Sequence, residues 1–515
     1  MAKKHYFIVI LLLVFAMAFL GGNAFAARDD LIVAAAQKSQ NLDFYQSTAR
    51  TDIQIGYLLY DALFERDPKT GKLTPHLVTS YKLVNPTTWE FKLRAGVKFH
   101  SGNPLNAECI RFTIDRVLDP AFKSVQAAHW KWIKRVEVVD ELTFRIITDG
   151  PYPIALQHLN TLFPYDPKWV TEMEAKHGKE YLSRHMNGTG PFKFVKYIEG
   201  DRLELVRNDD YWMKGFPKFK KMTIRFIPET STRLAEVLGG GVDVAMWLPP
   251  DAIPTLEKNK NTKVVEVPIL RVAFWQFDGD ARGGEKSKPL TDIRVRKAIW
   301  HAIDREAIIK DVLGGHVDLV NIPNNPVVLA ADPTIKIPEY NPEKAKALLK
   351  EAGYENGFEL ALWTWNAMYL QYMEAAMPYL EKVGIKPIIK DYAGRWSDLA
   401  PLLKGGKVWG VLHSSWGSLN VYDPDAIYSY FFMSPEGPYV YNTDPELNKW
   451  LHDANQTMDE KVRMALYKKA QRRVIEKCYW IPLFTEHAIH GANKKLNYVL
   501  GHDQVPRFKY ASWSE

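Results

Sequence analysis

The sequence predicts a mixed α/β protein of two lobes joined by short ordered crossings. Three observations predict it. Period-two alternation marks strands through the N-terminal half, strand and helix patterns alternate in the C-terminal half, and no tract rich in Gly, Ser or Pro separates the two.

The elements follow in order. Lys3 and Lys4 precede a run over residues 6–20 without a charged side chain, and Ala24-Phe25-Ala26 puts small residues at both cleavage positions. This is the pattern of a secretory signal, with cleavage expected after Ala26. The run is about 15 residues, short of the ~20 that span a bilayer. It contains no Cys, so a cysteine-linked lipid anchor is not expected and the mature chain is read as freely soluble in the periplasm.

Strand patterns come next. Trp89, Phe91 and Leu93 alternate with Glu90, Lys92 and Arg94, and similar alternation recurs over residues 142–146 and 222–226. Residues 107–117 read as a helix. Gly239-Gly240-Gly241 lacks the spacing of a dinucleotide fingerprint and reads as a turn. Residues 270–290 are the best candidate for a lobe crossing. Residues 291–315 carry two helical stretches, with Asp304 placed to cap the second and Gly314-Gly315 to end it. In residues 341–353, Asn341 caps, Pro342 occupies the first turn, and Ala345, Leu348, Leu349 and Ala352 form one apolar stripe. A strand over 358–365, a helix over 369–383 and a strand over 385–390 complete an α/β lobe.

Composition narrows the function classes. A chain of 515 residues with 46% hydrophobic and 25% charged side chains has room for about three compact units around a large core. The net charge of +7 is spread over scattered Lys and Arg, which argues against a nucleic-acid partner. Cys109 and Cys478 leave a disulfide open, and two separately buried thiols is the plainer reading. There is no G-x-S-x-G, no phosphate loop, no H-E-x-x-H and no C-x-x-C, so no catalytic set and no cofactor is expected. His487 and His490 stand three apart in a strand-like stretch without a carboxylate cluster, which makes a weak metal site. A periplasmic hydrolase would need a nucleophile with its base, and none is found.

Four blocks, in order, resemble the family 5 extracellular solute-binding proteins, which serve dipeptide, oligopeptide and nickel ATP-dependent importers. The first runs from Trp89 to Gly102 and on through Pro104-Leu105-Asn106-Ala107-Glu108, with Cys109 where the family shows an Asp. The second is Gly188-Thr189-Gly190-Pro191-Phe192 with Asn208-Asp209-Asp210-Tyr211-Trp212. The third is Leu290-Thr291-Asp292-Ile293-Arg294 with Ala302-Ile303-Asp304-Arg305, and the fourth is Tyr340-Asn341-Pro342-Glu343 with Ala352-Gly353-Tyr354. The resemblance covers nearly the whole mature chain. It implies a two-lobed periplasmic binding protein fold with mixed sheets and a hinge. The first lobe is expected over residues 27–55 and 190–270, an extra subdomain over 56–189, the second lobe over 271–491, and a C-terminal return to the first lobe over 492–515. The function it implies is capture of a small polar solute between the lobes and delivery to an ABC permease, by a monomer. A ligand-sensing receptor or chaperone-like binding protein is the alternative.

The resemblance also locates a candidate site. Peptide-binding members hold the ligand's ammonium with an Asp three residues after a Trp; here Trp416 is followed by Leu419, which cannot pair with an ammonium. Asp423 belongs to the aligned D-P-D. The Arg that dipeptide binders use is absent from residues 362–369. Both losses turn the expectation from simple peptides toward an opine-like derivative, a sugar conjugate or a chelated metal, with longer or modified peptides still open. Trp247, Trp275, Trp365, Trp396 and Trp416 are candidate stacking platforms among 16 Trp, Tyr45 is a candidate first-lobe contact, and Arg271 and Arg395 are candidate anion partners.

Overall fold

Alternating side chains build the strands of the first half. The computed structural model describes residues 28–417 and 421–514; the expected signal segment, residues 1–26, and Leu419 lie outside the described residues. On strand Thr88–Leu93 the side chains of Trp89, Phe91 and Leu93 are buried while Lys92 is exposed. It lies in a four-stranded antiparallel sheet ordered Val78–Asn85, Thr88–Leu93, Thr143–Thr148, Ile133–Val138. Helix Ala107–Leu118 packs on this sheet through Ile110, Ile114 and Val117, which share one face, and the Asn106 side chain caps it by accepting from the Cys109 amide. Gly240, in the left-handed region at φ 77°, ends helix Thr230–Gly239.

A larger sheet, eleven-stranded among the described residues, runs through both lobes. At the first-lobe end, Asp30–Ala35 lies parallel to both Lys221–Phe226 and Val244–Ala245. At the second-lobe end, Glu359–Thr364 lies parallel to both Lys386–Asp391 and Val411–Trp416. Two long antiparallel strands join the ends: Thr262–Phe277 goes out and Trp480–Asn493 returns. The crossing overlaps only the start of the 270–290 stretch. Midway, Pro268 pairs with His487 and Val272 with Thr485, so Ile269, Leu270 and Arg271 oppose the single Glu486. Such a bulge bends the strand and re-aims its side chains.

The second-lobe sheet is covered on both faces. Phe274, Ala361 and Leu412 face helices Asp425–Phe431, Pro445–Gln456 and Glu460–Glu476, while Trp275, Leu362 and Val411 face helices Ile293–Ala302 and Ala367–Glu381. Each fully buried Leu, Val or Phe contributes about 1.5–3 kcal/mol. The caps sit where the sequence puts them: Asn341 accepts from the Lys344 amide at 2.9 Å and Asp304 from the Ala307 amide at 3.0 Å. Helix Ala367–Glu381 begins two residues earlier than residue 369, because the Asn366 side chain caps it by accepting from the Met368 amide. The C-terminal segment returns to the first lobe, where Leu496, Phe508 and Ala511 enter the core.

Cys109 and Cys478 are both buried free thiols. His487 and His490 lie on the returning strand, where positions three apart face opposite ways. His487 meets Glu266 at 2.7 Å, whereas His490 is buried against the Tyr498 hydroxyl.

Candidate functional site

The lobes meet at the crossing strands around two adjoining cavities. The larger, about 380 Å³, is lined by Gln37, Arg50, Gln54, Trp247 and Gln504 from the first lobe and by Arg271, Trp365, Asn366, Tyr369 and Glu486 from the crossing and second lobe. Arg50 opens helix Arg50–Leu59 and places one guanidinium nitrogen 3.4 Å from the Asp503 carbonyl. Burial, and then the nearby charge of Arg271, push the Arg50 pKa down to about 10.

Arg271 projects from the three-residue bulge. It donates to Ser415 Oγ at 3.0 Å and stands 3.9 Å from Glu486 Oε1. Glu486 accepts from the Tyr369 hydroxyl, which also contacts Ser415 Oγ. Trp365 is oriented by its indole N–H donating to Ser414 Oγ at 2.9 Å, with Trp396 packed behind it at 5.4 Å between ring centroids.

Trp247 is held in the left-handed region at φ 58°, a conformation costing a bulky residue about 1–3 kcal/mol. The buried Arg233 guanidinium fixes it, donating to the Trp247 carbonyl at 2.9 Å and the Met246 carbonyl at 3.0 Å.

The smaller cavity, about 200 Å³, lies between Trp132, Tyr152, His129 and His158 on one side and Trp416, Asp425 and Tyr430 on the other. Trp132 and Tyr152 stack at 4.6 Å. The two histidines share a hydrogen bond of 2.8 Å. Burial pushes the His129 pKa down to about 4; burial and the neighbouring His129 push His158 well below its ordinary value, so the pair is neutral at pH 7. Burial, and then the charge of Asp423, raise the Asp425 pKa. Gly417 lines this cavity, and a Cβ there would stand 3.6 Å from Arg271 Cβ, so one residue separates the two spaces.

Of the residues expected from sequence, Trp247, Trp365 and Arg271 line the larger cavity and Trp416 the smaller, and Trp396 backs Trp365. The others are placed elsewhere. Tyr45 is fully buried, its hydroxyl donating to the Phe163 carbonyl at 3.0 Å, which is a core role rather than a ligand contact. Trp275 is fully buried in the second-lobe core. Asp423 forms a buried bidentate pair with Arg463, one contact at 2.6 Å. Arg395 is exposed, its guanidinium 4.7 Å over the Tyr392 ring and donating to the Asp391 carbonyl. Sequence reasoning missed Arg50, Glu486, Tyr369, His129 and His158. One signal existed for Glu486: it interrupts an apolar run, Ile481 to Phe484 and Ala488 to Ile489, where a charge needs a reason.

The arrangement is suited to binding: two guanidinium groups, one carboxylate, side-chain amides and two indoles face one space. Among the described residues no group of three His, Cys, Asp or Glu side chains could hold a metal ion.

Residues 72–438 match the family described as "Bacterial extracellular solute-binding proteins, family 5 Middle". The chain is 29% identical over 494 residues to the glutathione-binding protein GsiB of Shigella flexneri serotype 5b, covering 93% of each chain. It is also 29% identical over 493 residues to GsiB of Escherichia coli strain K12, with the same coverage. Among solved structures, HbpA2 from Haemophilus parasuis superposes with a TM-score of 0.84 at 25% identity, covering 94% of this chain and 100% of that one. The dipeptide-binding protein of Pseudoalteromonas sp. SM9913 in complex with Met-Leu has a TM-score of 0.76 at 22% identity, over 94% and 100% of the two chains.

Proposed function

The chain belongs to the bacterial extracellular solute-binding proteins of family 5, and on that premise we propose that it captures a small peptide-like solute between its lobes and passes it to the permease of an ABC importer. It is a binding protein, not an enzyme. The observation that carries the ligand reading is the larger cavity, to which both lobes and the crossing strands contribute polar and aromatic side chains.

The work such a protein does is conformational. A solute that touches both lobes stabilises the closed state relative to the open one, and the permease reads the closed state. Moving a 1:99 closed-to-open equilibrium to 99:1 takes about 5.5 kcal/mol of differential binding.

The relatives named for glutathione support a peptide-like solute. Leu419 in place of the family's Asp argues against the ordinary anchoring of a linear peptide's ammonium. Glutathione carries its α-ammonium beside a free carboxylate, unlike the N-terminus of a linear peptide, and is the first probe. The protein is expected to work as a periplasmic monomer, released by cleavage after Ala26 and without a lipid anchor.

Thermal unfolding of residues 27–515 with glutathione, glutathione disulfide, short peptides, opines, sugars and a nickel chelate tests the reading. A solute at 100 times its dissociation constant adds about 2.7 kcal/mol of stability. Glutathione or a short peptide is expected to raise the midpoint. A response to sugars or chelates alone, or to none of these, would overturn the peptide-like reading.

A further inference from the structure

We propose that the solute carries a carboxylate that is clasped jointly by Arg50 of the first lobe and Arg271 of the crossing strand. The inference deepens the binding reading above and rests on it.

The two guanidinium groups face the same cavity from different parts of the fold. Its lining holds two cations against one carboxylate, Glu486, which stands 3.9 Å from Arg271 and already accepts from the Tyr369 hydroxyl. The formal charge of the described lining side chains is therefore +1. Burial first, and the nearby charge of Arg271 second, lower the Arg50 pKa, while the charge of Asp503 opposes the shift. An anion between them makes a charge-assisted contact with each. A planar carboxylate with two oxygens suits two guanidinium forks better than a spherical ion does.

The surroundings add to the preference. Helix Arg50–Leu59 presents Arg50 and Thr51 from its first turn to the cavity, and no side chain caps that end. Its positive end therefore reinforces the guanidinium pair. Its first-turn acid, Asp52, is engaged away from the cavity by Ser47 Oγ and the amides of Gln40 and Asn41. Trp247 and Trp365 wall the space with apolar rings, which strengthens electrostatic attraction inside it.

The location ties the anion to closure. Arg271 stands in the bulge where the outgoing strand passes between lobes, while Arg50 belongs to the first lobe alone. A carboxylate held by both links a first-lobe helix to the hinge strand.

Calorimetric titration with matched pairs tests this: glutathione beside its dimethyl ester, and alanyl-alanine, trialanine and an opine each beside its amide. The free acid of at least one pair is expected to bind at least tenfold more tightly than its capped form. Arg50→Gln and Arg271→Gln should each weaken the acid at least tenfold and the capped form by much less, and Arg271→Lys should restore part of the loss. Equal binding of acid and capped forms, or unchanged affinity in both Gln variants, would overturn the carboxylate clasp while leaving solute capture intact. Failure of every free and capped probe to bind would overturn both.

Discussion

Trp247 occupies a backbone conformation that a bulky side chain adopts only under compulsion, and Arg233 supplies it. That guanidinium donates to four carbonyls, those of Ile227, Pro228, Met246 and Trp247. Replacing it leaves buried acceptors without donors, so Arg233→Met should cost about 2–4 kcal/mol in urea unfolding and also weaken solute binding as Trp247 relaxes. Asp423 separates a structural carboxylate from a ligand contact in the same way. Asp423→Asn breaks the buried pair with Arg463 and should cost about 3–5 kcal/mol, while any folded fraction keeps its solute affinity. An affinity loss without a stability loss would return Asp423 to the binding site. These two residues show how far the site was legible. The D-P-D motif located Asp423, but nothing in the sequence says that its partner lies 40 positions later. Aromatic content is equally ambiguous: Trp130, Trp275, Trp300 and Trp480 are fully buried, whereas Trp247 and Trp365 line the cavity.

The crossing strands are the elements on which the mechanism turns. Between Pro268 and Val272 the outgoing strand loses regular pairing with the returning strand, so the amides of Ile269 and Arg271 should exchange faster than that of Leu270, which donates to the His502 carbonyl at 3.0 Å, and than those of Phe274 to Gln276, which lie paired between Val411–Trp416 and the returning strand. Adding a bound solute should slow exchange selectively at Ile269 to Arg271; uniform slowing across the sheet would mean that the bulge is not the hinge. Outside the cavity the Arg66 guanidinium lies 3.9 Å over the ring of Tyr422. Elements were far more readable than the site. Alternation at Trp89, Phe91 and Leu93 and the Asn341-Pro342 start are local patterns, and local patterns fix local structure. Arg50 and Glu486 meet only because two strands carry the chain between lobes, and no local pattern records that meeting.

At the scale of the molecule, buried neutral histidines set a response to acid. His413 and His490 are fully buried, and burial pushes each pKa down to about 3. The unfolded chain binds protons on these groups below its ordinary value of about 6.5, while the folded chain keeps them neutral until about pH 3. Folded stability therefore falls as pH drops from about 6.5, by up to ~1.4 kcal/mol per pH unit for each histidine. Unfolding midpoints between pH 7 and 4 should decline steadily, and His490→Gln should flatten the slope; a pH-independent midpoint would contradict the burial of these rings.

The most direct test of solute capture is native mass spectrometry of residues 27–515 purified without refolding. One small acidic adduct per chain is expected, displaced by excess glutathione and absent from Arg271→Gln. A chain that carries no adduct, and takes up none when glutathione or short peptides are supplied, would contradict it.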